Sequence, residues 1–296
     1  PFVYLSPSDF PPFWFLGFLS SLFHHHAHAH IHQPDSTLAL SRRQLLVQSL
    51  LSPHIRATFA GVCLSIGLLG LSPSLQAQEK PLLIEKINPQ LYLYTTFNTF
   101  EGTKYAANAV YLITKKGVIL FDTPWDSTQY QPLLDSIKQK HNLPVIAVYA
   151  THWHEDRAGG FAYYNRIGIP TYATKMTNDL LKANHKAQAT HLVPTNKTYS
   201  VGGQSFVLNF FGAGHSMDNV VVWFPEYKIL DGGCFIKSSE AQDLGFTADG
   251  DIKSWKPSLA RLLAKYPEIN MVIPGHDAWK DKGQIKRTEA LLTGGH

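Results

Sequence analysis

Four times in the second half of this chain, a short apolar run gives way to a threonine or glycines and then to a side chain that binds metal. Residues 145–150 lead into Thr151-His152-Trp153-His154-Glu155-Asp156. Residues 206–210 lead through Gly212-Ala213-Gly214 to His215. Ile229-Leu230 leads through Asp231-Gly232-Gly233 to Cys234, and residues 271–273 lead through Pro274-Gly275 to His276. Short apolar runs bounded by turn residues read as buried strands. Side chains at strand ends and in the loops that follow are where α/β folds build their sites, so a chain with this pattern is constrained to bring several strand ends to one rim.

Alternate residues on an extended segment point the same way. His152, His154 and Asp156 are therefore expected to face one cavity, with Gly159-Gly160 turning the backbone away behind them. Imidazole with carboxylate suits zinc, and a thiolate favours zinc over magnesium or calcium. His215, Cys234 and His276 each say little alone. Together with the first three they are enough for two zinc ions that keep positions open for water.

The chain from residue 91 onward has the same rhythm throughout. Leu91, Leu93 and Thr95 alternate with Tyr92 and Tyr94 in a strand over 91–96. Residues 109–114 and 118–122 form a hairpin through Lys115-Lys116-Gly117. A helix over 127–140 shows Tyr130, Leu133, Leu134 and Ile137 on one face with Asp126-Ser127 as its cap, and Pro132 sets where its regular part begins. Strands at 206–210 and 220–224 precede a second helix marked by Trp255, Leu259, Leu262 and Leu263. Strands then helix, twice over, predict an α/β fold of two similar halves packed sheet to sheet.

The N-terminal part is different. Residues 1–55 are rich in Phe, Pro, Ser and His, with no helical or strand period, and read as an unstructured or non-native upstream segment. Residues 56–77 read as a secretory signal peptide: Arg56, then AGVCLSIGLLGL from Ala60, then a small-residue exit at Ala77. That run is short for a membrane span, and Val62 before Cys63 fits a lipid-anchor signal poorly. The catalytic domain would be residues 78–296, delivered to the periplasm, with Cys234 as its one cysteine and no disulfide partner. Formal charge is +4, and no Lys/Arg run suggests nucleic acid. Nothing signals an oligomer, so a monomer is the default, acting on a small molecule and free of the membrane once the signal is removed.

The order His-x-His-x-Asp, His, Cys, His resembles the di-zinc subclass of the metallo-β-lactamases, from about Leu82 to the end. Supporting segments are Leu91-Tyr92-Leu93-Tyr94, Phe121-Asp122-Thr123-Pro124-Trp125, Asp218-Asn219-Val220-Val221-Val222-Trp223 and Gly232-Gly233-Cys234-Phe235-Ile236-Lys237. The resemblance implies a four-layer αβ/βα sandwich with metals at one edge. It implies that His152, His154 and His215 hold one zinc, and that Asp156, Cys234 and His276 hold the other. Asp156 would also orient the nucleophile, and Lys237 would bind the substrate carboxylate. Residues 97–105 would be a mobile flap carrying Phe97 and Phe100, with Trp125 on the floor of the site. Asp122 would be a buried aspartate behind the ligands. The implied activity is hydrolysis of penicillins, cephalosporins and carbapenems, conferring resistance.

Two positions depart from the family pattern. Phe246 follows Leu244-Gly245, where many relatives carry asparagine, and Arg157 follows Asp156, from where it is expected to reach Cys234 and tune the second zinc. Two other readings remain open. One is a thioesterase or lactonase of the same superfamily, but those place histidine after the triplet Asp and bridge the metals with aspartate, where this chain has Arg157 and Cys234. The other is a secreted zinc-binding protein without catalysis, to which the histidines of 24–32 lend some support; it would bind zinc and turn over no β-lactam.

Overall fold

The strand expected at 91–96 is longer than its alternation suggests, and both of its faces are buried. The computed structural model describes residues 82–294. In it β1 (Leu82–Lys86), β2 (Leu91–Phe100), β3 (Thr103–Thr114) and β4 (Gly117–Phe121) form an antiparallel meander. β5 (Val145–Tyr149), β6 (Thr171–Ala173) and β7 (His191–Leu192) continue it in parallel, giving seven strands in sequence order. A second sheet contains β8 (Lys197–Val201), β9 (Gln204–Asn209), β10 (Val221–Phe224), β11 (Ile229–Gly233) and β12 (Met271–Pro274), again side by side in order. Only β11 and β12 pair in parallel there. The helices are α1 (Tyr130–His141), α2 (Glu155–Ala158), α3 (Phe161–Arg166), α4 (Lys175–Ala183), α5 (Ile252–Lys265) and α6 (Gln284–Leu292). The expectations for residues 1–77, including the histidine tract and Cys63, lie outside the described residues.

The period of two in β2 separates two cores. Leu91 and Leu93 point between the sheets, where Val110, Ile119 and Phe121 meet Phe206, Val222 and Phe224. Tyr92 and Tyr94 point to the other face, beneath Leu133 and Ile137 of α1, Phe161 of α3 and Leu181 of α4. A third core packs Trp255, Leu259 and Leu262 of α5 on Val221, Trp223, Leu230 and Val272. The order is helix, sheet, sheet, helix, the four-layer sandwich expected. Burying one Leu or Phe is worth about 1.5–3 kcal/mol. Phe121 also meets Phe206 and Phe224 edge-on at 4.9 and 5.3 Å across the sheet interface, each pair adding about 0.5–1.5 kcal/mol.

Pro132 does not delay α1. A 3-10 turn at Ser127–Gln129, capped by Asp126 accepting from Thr128 N, precedes the helix at Tyr130. Pro132 falls in the first turn, where backbone N–H groups lack intrahelical partners in any case. The helix stops at Asn142 in the left-handed conformation (φ 53°).

At the end of α1, the Tyr111 hydroxyl lies 2.8 Å from His141 Nε2. Burial, and then Lys140, depress the pKa of His141 below its ordinary 6.5. The unfolded chain therefore binds a proton more readily than the folded one just below pH 6.5, and this site's stability, complete above that value, declines as pH falls through the window. Urea midpoints of the parent and His141→Gln should converge between pH 7 and pH 5. A constant gap between them would remove His141 from the acid response.

Candidate metal centre

The ligand candidates arrive at one rim from different elements. After β5, residues 151–154 bend rather than extend, and α2 starts at Glu155. His152 and His154 come from the bend, while Asp156 comes from the first turn of α2. The extended alternation expected for the triplet is therefore replaced by a bend and a helical turn that reach the same cavity. Gly159 and Gly160 also act differently from expectation. Their φ angles, −57° and −77°, are ordinary. What Gly160 supplies is room, since a Cβ there would sit 2.9 Å from Thr123 Cβ and 2.8 Å from the Tyr164 ring. Gly275 is required for the same reason: a Cβ would lie 2.6 Å from Cys234 N, closing the contact that brings His276 beside Cys234.

Two triads result. His154 Nδ1 lies 3.1 Å from both His152 Nε2 and His215 Nε2. In the other, Cys234 Sγ is 3.2 Å from His276 Nε2 and 3.5 Å from Asp156 Oδ2, and the last two are 3.3 Å apart. Tetrahedral ligands at about 2.0–2.1 Å from a metal stand about 3.3 Å from one another. The spacing fits zinc, and one nitrogen facing two others at 3.1 Å is poorly explained by hydrogen bonds alone. Besides these, His152, His215 and Cys234 also group closely enough to share an ion, so the triads adjoin.

Electrostatics agree. Burial, reinforced at His152 by the neighbouring imidazoles and at His215 by Lys237, holds both well below their ordinary pKa, leaving neutral imidazoles with free lone pairs. Burial opposes charge on Asp156, but Arg157 and His276 prevail and keep its carboxyl well below the usual range. Burial likewise opposes a charged His276, but Cys234 and Asp156 raise it to about 9, so it carries the proton that a metal ion would displace.

Beneath the second triad lies Arg157, wholly buried. Nη2 donates to Cys234 Sγ at 3.1 Å and to Gly275 O at 2.7 Å. Nη1 donates to Asn108 O at 2.6 Å and to Asp122 Oδ2 at 3.3 Å, and Nε lies 2.9 Å from Asp156 Oδ2. Asp122, also fully buried, accepts from Thr151 N at 2.7 Å and so fixes the start of the ligand loop. Its burial pushes the carboxyl up to about 7 against Arg157. Sequence reading missed Asp231, which is buried beside this network and raised to about 6 by that burial. It also missed Asn108, whose amide donates to Pro274 O and Asp277 O.

Around the mouth, Lys237 is buried rather than surface-solvated, its Nζ 5.5 Å from the Trp255 ring centre. Burial lowers its pKa. Trp125 packs edge-on to His276 at 5.6 Å and lies 6.3 Å from Tyr105. Residues 97–105 are no separate loop but the end of the β2–β3 hairpin, turning at Glu101-Gly102. Phe97 is half-buried, and Phe100 is 64% exposed rather than part of the core. Where β2 leaves the protection of β1 at Thr96, the Gln129 side chain accepts from Phe97 N and donates to Phe97 O. Phe246 is exposed at 60% and meets the His154 ring edge-on at 5.7 Å. Asp249 was not anticipated, because a lone aspartate in a glycine-containing loop carries no pattern. Its Oδ2 lies 3.1 Å from His154 Nε2.

Comparisons with known proteins agree with this geometry. A family model described as "Metallo-beta-lactamase superfamily" matches residues 102–276. Metallo-beta-lactamase IND-1 of Chryseobacterium indologenes is 51% identical over 223 residues, spanning 75% of this chain and 93% of that protein. A metallo-beta-lactamase type 2 of Elizabethkingia meningoseptica is 45% identical over 231 residues, spanning 78% and 92%. The crystal structure of metallo-beta-lactamase IND-7 superposes with a TM-score of 0.72 at 50% identity, covering 73% of this chain and all of that one. A metallo-beta-lactamase from Pontibacter korlensis gives 0.69 at 37% identity, covering 72% and 99%.

Proposed function

The chain belongs to the metallo-beta-lactamase superfamily, and on that premise we propose that its two triads each hold a zinc ion for hydrolysis of the β-lactam amide bond. It is a β-lactam hydrolase. The observation that carries the two-zinc reading is the spacing of 3.1–3.5 Å among six ligand atoms in two adjoining triads, one of them containing a thiol.

Zinc, when bound there, supplies Lewis acidity, acidifying water to a pKa of about 7 and polarising a carbonyl. The chain's own residues do the rest. His152, His154 and His215 are the imidazole donors of the first triad. Asp156 contributes its carboxylate as ligand and orients the attacking water. Lys237 offers a point charge to the carboxylate beside the lactam nitrogen, and burial against Trp255 limits where its ammonium can go. Trp125, Tyr105 and Phe97 form an apolar floor and wall that displace water from a bound ring. Phe246 gives the adjoining wall an apolar edge where a polar side chain would have offered a donor, so carbonyl polarisation falls to the metal side. The Arg56-to-Ala77 pattern supports periplasmic delivery, and the range of substrates we propose is carbapenems as well as penicillins and cephalosporins.

The test is loss of a carbapenem's ring absorbance by the purified protein. Hydrolysis abolished by a chelator and restored by zinc is the expected result. Two bound zinc ions with no hydrolysis of any β-lactam would sink the substrate assignment and turn attention to thioesters and lactones.

A further inference from the structure

α6 contributes no ligand to either triad, yet it holds the segment that carries Lys237. Thr288, wholly buried, accepts from Lys237 N at 2.9 Å, while its hydroxyl donates to Gln284 O at 2.7 Å. The Thr288 proton is thus committed to its own helix, which leaves an oxygen lone pair for the lysine backbone. Arg287 grips the same segment further on: Nε donates to Ala241 O at 2.6 Å, and Nη2 reaches Gln242 O at 3.5 Å. Just ahead of the helix, Asp281 accepts from the Ser239 hydroxyl. A Cβ on Gly283 would stand 3.1 Å from Ser239 Cβ, so the two backbones pack closely there. Past Gln242 the chain folds back on the lysine. Gly245, in the left-handed conformation (φ 64°), lies so near that a Cβ on it would stand 3.6 Å from Lys237 Nζ. The place of the ammonium therefore depends on where Thr288 holds the backbone at Lys237 and on where Arg287 holds the chain that leads to Gly245.

We propose that Arg287 and Thr288 are positioning residues for substrate binding, fixing Lys237 so that its ammonium meets the substrate carboxylate from a set place. The inference rests on the β-lactam reading of the site and on Lys237 as its anion-binding group. A carboxylate docked alike in the ground state and the transition state contributes uniform binding. Loosening its partner raises KM and leaves kcat as it was.

The experiment measures kcat and KM for a carbapenem with the zinc-loaded parent, Arg287→Ala, Thr288→Val and Thr288→Ser, and repeats Arg287→Ala in a Lys237→Ala background. Arg287→Ala and Thr288→Val should each raise KM about 2- to 10-fold, the worth of one hydrogen bond, with the kcat and zinc content of the parent. Thr288→Ser, which keeps the hydroxyl, should restore the parent KM. With Lys237→Ala in place, Arg287→Ala should add nothing, because the two changes act on one contact. Amide exchange in Arg287→Ala should quicken over residues 238–245 and hold at residues 151–156. Arg287 is only partly buried, so Arg287→Ala carries the test should Thr288→Val fail to fold. A parent KM in Arg287→Ala would overturn the proposal, and so would an effect of full size without Lys237. Lost zinc or a lowered kcat at unchanged KM would also overturn it, marking a scaffold effect. Lys237→Ala with the parent KM would remove the lysine's role and the proposal with it. A parent that turns over no β-lactam would instead sink the substrate reading on which both stand.

Discussion

Arg157→Ala is expected to destabilise the metal-free protein by about 3–5 kcal/mol, the range for removing one partner from a buried charge network. For a domain of this size that lowers the melting temperature by about 10 °C. The guanidinium is fully buried and contacts Asp122, Asp156, Cys234 and the carbonyls of Asn108 and Gly275. Without it the Asn108 and Gly275 carbonyls and the Cys234 sulfur lose their donor, and three buried carboxyls, Asp122, Asp156 and Asp231, lose their main counter-charge. Asp122 and Asp231 are already raised to about 7 and about 6 by burial, and Arg157 is what opposes the rise. In the variant they would hold protons to still higher pH. A raised folded-state pKa gives stability that is lost as pH climbs through it, so the deficit should be larger at pH 8 than at pH 5. Arg157→Lys should rescue little, because an ammonium cannot make the forked contacts. Thermal melts across that pH range decide the matter, and a variant melting within about 2 °C of the parent would show that the network is dispensable.

Cys234→Ser should leave the fold intact and remove the second zinc ion. The hydroxyl is shorter and, unlike a thiolate, stays protonated, so the triad with Asp156 and His276 loses one of its two anionic donors. A metal's contribution to transition-state charge is several kcal/mol, and about 1.4 kcal/mol is a factor of ten. A fall in kcat/KM of about a hundredfold to a thousandfold is therefore expected, with zinc content dropping from near two equivalents toward one. Undiminished zinc content together with parent activity would sink the two-metal assignment.

These effects differ in how visible they were beforehand. All six ligand candidates could be read from the sequence, because each follows an apolar run at a turn residue. Arg157 was expected to reach Cys234, and its Nη2 is 3.1 Å from Sγ. Its further contacts with Asn108 and Gly275 join residues far apart in the chain, and no local pattern announces them. The four layers were legible from strand and helix order. The doubly buried β2 was not, since Tyr92 and Tyr94 alternate with Leu91 and Leu93 and all four are core. β6 and β7 are too short, and β8 too polar, for periodicity to register. The cap of α4, where Thr174 accepts from Thr177 N, is a local signal that the sequence does carry. Asp249 had none.

The Gln129 side chain has a mechanical consequence. β1 stops covering β2 at Thr96, and Gln129 takes the next outward-facing backbone pair at Phe97. Beyond that point, among the described residues, β2 pairs with β3 alone, as far as the turn at Glu101-Gly102. The hairpin is thus clamped at its base by Gln129, like a springboard with a fixed fulcrum. Amide exchange should change abruptly at that fulcrum, slow through Phe97 and fast from Asn98 to Tyr105, because cooperative protection ends where the last bracing contact ends. A bend of such a board would sweep Phe100 furthest and Phe97 least.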